Sequence, residues 1–286
     1  MEQEQLELKS NYLTTFLRND YSGFVHSVFS HSLNIQLGKQ LIHVSDRIEP
    51  LSAFGLKLSN EKIHSLLTSV KVGYFVSYQN NTLFFYNHLN KIISIIKLNE
   101  LVEKELNIKL ISFSSTIKIE DTLFFEELSK LPLKMKTGLP LSEQTLHYIE
   151  DLSTYSVEKM SNFSIWKHFI GRGIGLTPSG DDFLIGYISI LSLFNQQKEW
   201  LHLIRPFVEK GRTTDISLAY LTCLLDGVVN ENIKELIDSL YSEDRKEIKQ
   251  KLSKLLLFGH TSGTDTLYGI MTGIKAMIGI EYKKSE

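Results

Sequence analysis

Hydrophobic spacing changes period near residue 115, and that change restricts the chain to folds that segregate strands from helices. Before it, apolar residues alternate or gather in β-branched and aromatic runs: Phe24–Phe29, Leu33–Leu37, Gln40–Val44, Val72–Tyr78, Thr82–Tyr86 and Lys91–Leu98, with Leu110–Phe113 as a further candidate. Gly38-Lys39 and Gln79-Asn80-Asn81 supply turns, so neighbouring strands are expected to form hairpins in a small barrel or sandwich. Helices are expected over Leu6–Leu17 and Glu61–Leu67 in the same stretch. After residue 120 the apolar period becomes helical, predicting helices over 121–131, 142–160, 162–170, 178–195, 199–210, 214–226, 231–241, 243–257 and 263–280. The expected class is therefore α+β, with a β-rich domain over 1–115 and an α-helical domain over 116–286. Leu133–Pro140 has the composition of a boundary, though not of a flexible one.

The helical part carries one internal repeat. Ser179-Gly180-Asp181-Asp182-Phe183-Leu184-Ile185-Gly186 matches Ser262-Gly263-Thr264-Asp265-Thr266-Leu267-Tyr268-Gly269 at five of eight positions. Each copy follows a Gly and a Thr (Gly175 and Thr177; Gly259 and Thr261) and leads into an apolar helical pattern. Both are glycine-rich turns that open helices. The first amides of a helix lack intrahelical partners and sit at the positive end of its dipole. Glycines allow close approach and hydroxyls add donors, so Gly173, Gly175, Thr177, Ser179, Gly180, Thr261, Ser262 and Gly263 suit a phosphate or carboxylate. The carboxylates of Asp181, Asp182 and Asp265 could instead serve in catalysis or hold a hard cation. Ordinary capping competes with both: Thr177 before Pro178, or Ser179 three residues before Asp182, is a common helix start.

A third segment, Gly211-Arg212-Thr213-Thr214-Asp215-Ile216-Ser217, also precedes an apolar helix, and Arg212, like Arg172 beside the first turn, is a natural partner for a carboxylate or phosphate. Thr214 is the binding or capping hydroxyl there. His260 differs from the other histidines in lying inside a glycine-rich turn, where a general acid would be useful. The remaining histidines have no HExxH or other regular ligand spacing. Gly171-Arg172-Gly173-Ile174-Gly175 follows a helical pattern rather than a strand, which excludes a dinucleotide fingerprint. No GxxxxGK[ST] loop or GxSxG elbow occurs.

Bulk composition narrows the class further. A net charge of −2 gives no basic surface for nucleic acid, and no polybasic run argues for a membrane. The single cysteine, Cys223, rules out an internal disulfide and a cysteine-built zinc cluster, and its apolar neighbours make it a core residue. Met1-Glu2-Gln3-Glu4-Gln5 is unlike a signal peptide, and the apolar run Phe183–Phe194 is too short to span a bilayer, so a cytoplasmic location is expected.

The stretch Gly173–Gly186 resembles the signature of the AllH family. Gly259-His260-Thr261-Ser262-Gly263-Thr264-Asp265 is similar to its second motif, Thr213–Ser217 to a weaker middle one, and Val25–Asn34 to its N-terminal part. Ile174 departs from the proline found in many members. The resemblance implies a subunit of oxamate carbamoyltransferase, working with FdrA-like and AllG-like partners on a small anionic substrate in allantoin breakdown. The implied reaction converts oxalurate and phosphate to oxamate and carbamoyl phosphate. Two other readings stand beside it. Thr264-Asp265-Thr266 followed by Leu267–Gly273 is locally similar to the helix start of ADP-ribosylglycohydrolases, which would make Asp182 and Asp265 ligands of Mg2+. A non-catalytic anion-binding scaffold is the other.

Overall fold

The computed structural model describes residues 6–114, 116–154, 163–196, 201, 204–208 and 212–285. They form two compact units, Met1–Leu106 and Asn107–Glu286, in an α+β arrangement.

The first unit is a single curled sheet of nine strands: β1 (Leu8–Ser10), β2 (Tyr21–Val28), β3 (Ser32–Leu37), β4 (Gln40–Ser45), β5 (Gly55–Lys57), β6 (Phe75–Gln79), β7 (Thr82–Tyr86), β8 (Ile92–Lys97) and β9 (Val102–Lys104). Their spatial order is β8-β7-β6-β2-β3-β4-β5-β1-β9. The expected hairpins form. Leu37 pairs with Gln40 around Gly38, whose φ is 56°, and Gln79 pairs with Thr82 around Asn80 and Asn81, both with positive φ. The second turn thus has the double left-handed backbone of a type I′ hairpin, which suits the twist of the strands. Alternation sends Val25, Ile35, Ile42, Val44, Val76 and Phe85 to one core face. Short helix α1 (Leu13–Phe16) precedes the sheet's main strands, and α2 (Asn60–Ser69) lays Ile63 and Leu66 on that core.

Two expectations fail here. Leu6–Leu17 is not one helix. Leu8–Ser10 pairs with Val102–Lys104 on one side and with Lys57 and Leu56 on the other, so ladder bonds from distant strands override the local helical spacing. Leu110–Phe113 is not a strand either. Its backbone binds helical neighbours instead, with the Ile111 amide donating to the Leu193 carbonyl (2.8 Å) and Phe113 stacked on Phe194.

The second unit contains α3 (Leu123–Ser129), α4 (Leu133–Lys136), α5 (Glu143–Ser153), α6 (Phe163–Phe169), α7 (Ser179–Leu193), α8 (Asp215–Leu225), α9 (Glu231–Ile237), α10 (Arg245–Leu256) and α11 (Ser262–Ser285). The end of the expected helix 142–160, half of 199–210, and Gly211 lie outside the described residues. Leu133–Pro140 lies inside this unit and begins with α4. No described helix is long and apolar enough to cross a membrane.

Every residue of α7 is buried, as expected of a helix with no polar face. Its main partner is α11, and two glycines set how close they come. A Cβ on Gly186 would lie 2.0 Å from the Thr266 carbonyl oxygen, and one on Gly269 would lie 1.9 Å from that of Phe183. Gly186 and Gly269 occupy the same place in the sequence repeat, as do Phe183 and Thr266. The crossing is therefore reciprocal, and the repeat is an internal two-fold in space. The helices before each turn repeat the theme: Gly180 abuts the Phe169 carbonyl at the end of α6, and Gly263 abuts the Leu255 carbonyl near the end of α10.

Candidate functional site

Because α7 and α11 cross within two turns of their starts, their opening turns come together. The Thr177 and Ser262 hydroxyls hydrogen-bond each other at 2.9 Å. Gly138 fits between the turns: a Cβ there would lie 2.6 Å from both Ser179 Oγ and Thr261 Oγ1. The two motifs thus form one site.

The turns do not work as simple caps. Pro178 is the N-cap of α7 and no side chain caps that helix. The Gly180 amide donates to the Arg172 carbonyl (2.7 Å), and the Asp181 and Asp182 amides to the Pro178 carbonyl (2.9 and 3.2 Å). In the second turn the Gly263 amide donates to Phe258 and the Asp265 amide to Thr261. Most of the opening amides are therefore already used. What the openings offer is carboxyl and hydroxyl groups. Gly173, with φ of 117°, supports this geometry, since any side chain there would run into the Ser179 amide. Gly175 is exposed.

The three aspartates have different surroundings. Asp181 is fully buried and accepts from the Gly171 amide (2.8 Å), Ser217 Oγ (2.7 Å) and Thr213 Oγ1. Burial raises its pKa, while Thr213, Ser217 and Gly171 pull it back. It is a clamp that ties the first turn to the start of α8. Asp265, also fully buried, accepts on Oδ1 from Thr137 Oγ1 and the Gly138 amide (2.9 Å). Its Oδ2 has no hydrogen-bond partner. Asp182 is 5% exposed, and no protein group donates to its Oδ2. Burial pushes its pKa well above the ordinary carboxylate range. The Ser262 and Thr177 hydroxyls oppose that shift, and the charges of Asp265 and Asp181 add to it. Asp182 faces a cavity of about 20 Å³ whose lining includes Thr177, Tyr220, Asn230, Phe258 and Thr266.

The remaining expected residues surround this centre. Thr214 caps α8 through the Ser217 amide and donates to the Leu176 carbonyl. Arg172 is half-buried, with Nε lacking a hydrogen-bond partner. Arg212 is exposed over the Phe207 ring, and its carbonyl packs against Gly171. His260 is exposed in the second turn. Thr137, Gly138, Thr213 and Ser217 were not among the expected site residues. Thr213 and Ser217 lay in a segment already suspect by composition. For Thr137 and Gly138 the only signal was a Thr-Gly pair between a short helix and a proline.

A hard cation seeks about six oxygen ligands. Among the described residues no group of three or more His, Cys, Asp or Glu side chains could hold a metal. Asp182 and Asp265 offer one unpartnered oxygen each, and the donors on Asp265 Oδ1 already use its other one. Any Mg2+ at this pair would need its remaining ligands from water or substrate.

The fold and site define an α+β protein whose helical unit joins two copies of a helix–glycine turn–helix element around buried carboxylates. The chain belongs to the AllH family: the oxamate carbamoyltransferase subunit AllH matches residues 169–274, and the AllH family N-terminal domain matches residues 5–95. The first match contains both opening turns and the clamp at Thr213–Ser217. No solved structure matches the chain.

Proposed function

We propose that this chain provides the carbamoyl-handling site of an oxamate carbamoyltransferase, assembled with FdrA-like and AllG-like subunits and acting in allantoin degradation. The observation that carries this reading is Asp182, a buried residue with an unpartnered oxygen that lines a cavity beside Thr177 of the first turn. In the reaction a phosphate oxygen attacks the terminal ureido carbon of oxalurate. A C–O bond forms, and the bond from that carbon to the oxamate nitrogen breaks. The departing nitrogen needs a proton. A carboxyl whose burial favours its protonated form is suited to supply one, and the proton lost by the attacking hydrogen phosphate restores it. In this reading Arg172 and Arg212 bind the anionic groups, and the hydroxyls of Thr177, Ser262 and Thr261 support the oxyanion of the tetrahedral intermediate.

The test is co-expression with the FdrA-like and AllG-like chains and an assay of phosphate-dependent oxalurate loss. Turnover is expected only when all three chains are present, and Asp182→Asn is expected to abolish it with the fold intact, because an amide cannot transfer the proton. Full turnover without this chain would refute the assignment. Ligand binding without turnover in any combination would mark a scaffold subunit.

A further inference from the structure

The internal two-fold places Asp182 and Asp265 at equivalent positions, yet the chain treats them differently. At Asp265 a hydroxyl and a backbone amide, from Thr137 and Gly138, donate to the carboxylate. Asp182, more than nine-tenths buried, has the Ser262 and Thr177 hydroxyls beside it but no backbone amide, and Oδ2 of both aspartates has no protein partner. Gly138 is pressed between Ser179 of the first turn and Thr261 of the second, but of the two aspartates only Asp265 accepts from the Thr137-Gly138 segment. Its contact therefore acts as a template for what the other half-site lacks, namely a compact donor group with a peptide-like N–H.

We infer that the cavity at Asp182 is a subsite for the N–H end of a primary amide or carbamoyl group. The cavity volume of about 20 Å³ suits one group the size of a water, such as an amide nitrogen, and is too small for a phosphate. Its lining is largely apolar, with Thr177, Tyr220, Asn230 and Thr266 as the polar exceptions beside Asp182. An anion would meet the neighbouring carboxyls there, whereas a neutral amide would not. In its protonated form the carboxyl matches an amide on both sides, accepting from its N–H and donating to its C=O. The identity of the physiological amide rests on the carbamoyltransferase reading above, but the chemistry of the subsite does not.

The test measures binding of oxamate and of oxalate, which has a carboxylate in place of the amide, to the full chain alone and in the three-chain complex. Wild-type protein is expected to bind oxamate at least tenfold more tightly than oxalate. Asp182→Ala should weaken oxamate at least tenfold. Asp182→Asn, which keeps one acceptor and one donor in nearly the same shape, should hold oxamate to within about threefold of wild type even though turnover is lost. Tryptophan fluorescence of each variant verifies the fold. Equal affinity for oxamate and oxalate, unchanged oxamate binding in Asp182→Ala, or no oxamate binding in either preparation would overturn the inference. Asp182-dependent amide binding without oxalurate turnover would leave the subsite standing and remove the carbamoyltransferase reading. Turnover with Asp182-independent oxamate binding would do the reverse.

Discussion

Replacing Gly269 with alanine sets two effects of opposite sign against each other. In an exposed helix interior the change is favourable by about 1 kcal/mol, because alanine restricts the unfolded chain and glycine does not. At the crossing with α7, however, the new methyl would lie 1.9 Å from the Phe183 carbonyl oxygen and 2.8 Å from the Tyr187 amide nitrogen. Real Cβ contacts essentially never fall under 3.0 Å, so the helices must part by about 1 Å. The obstacle is backbone, which cannot rotate away, and α7 is buried along its whole length. Overpacking of this kind costs typically 1–3 kcal/mol and occasionally more. The clash should win, with a net loss of about 2 kcal/mol. Gly279, in the same helix, has nothing within 4 Å of its would-be Cβ, so Gly279→Ala should gain up to about 1 kcal/mol. Both tryptophans, Trp166 and Trp200, belong to the second unit, so their fluorescence follows that unit in a urea titration. At unchanged slope, the midpoint should fall for Gly269→Ala and rise for Gly279→Ala. In a thermal scan, at roughly 2–4 °C per kcal/mol for a unit of this size, the two variants should differ by about 6–12 °C. If both variants shift in the same direction, the close crossing is not what holds these helices together.

Asp181→Ala should destabilise the second unit by on the order of 3 kcal/mol, since it leaves the Gly171 amide and the Thr213 and Ser217 hydroxyls without their buried acceptor; a urea midpoint close to wild type would contradict the clamp. Asp182→Asn should have the opposite effect on stability, and the effect should depend on pH. The Asp182 carboxyl is held above its unfolded value by burial and by the Asp265 and Asp181 charges, against the pull of the Ser262 and Thr177 hydroxyls. The folded state therefore binds more protons than the unfolded one. Wild-type stability falls as pH rises from the ordinary carboxylate range through the raised folded value. The variant lacks this titration, so its advantage should be flat in acid and widen toward neutral pH; a pH-independent difference would show that Asp182 titrates normally.

Sequence and structure agree most closely where local signals decide the outcome. The hairpin turns at Gly38 and Asn80-Asn81 need left-handed backbone that glycine and asparagine accept readily, so the strands beside them were legible. β1, β5 and β9 were not, because three residues carry too little periodicity and their pairing joins positions about 50 to 100 apart. At the site, composition identified the two opening turns but not the bonds their amides make within the protein. Nothing local indicates that the Gly180 amide turns back to the Arg172 carbonyl.

The repeat also concealed its most useful feature. Asp182 and Asp265 are indistinguishable by motif, and the symmetric crossing at Gly186 and Gly269 gives their helices the same geometry. What separates them is Thr137-Gly138, a dipeptide that reads as a boundary and reaches Asp265 from 128 residues away. Two buried carboxyls close enough to feel each other's charge would both be costly if neither found a donor. The chain gives Asp265 a backbone amide and a hydroxyl on Oδ1, gives Asp182 only hydroxyls, and leaves Oδ2 of each without a partner. The divergence of the repeat, rather than the repeat itself, is what gives the site a direction: one aspartate accepts from the protein's own backbone amide, and on the proposal above the other accepts from an amide of the substrate.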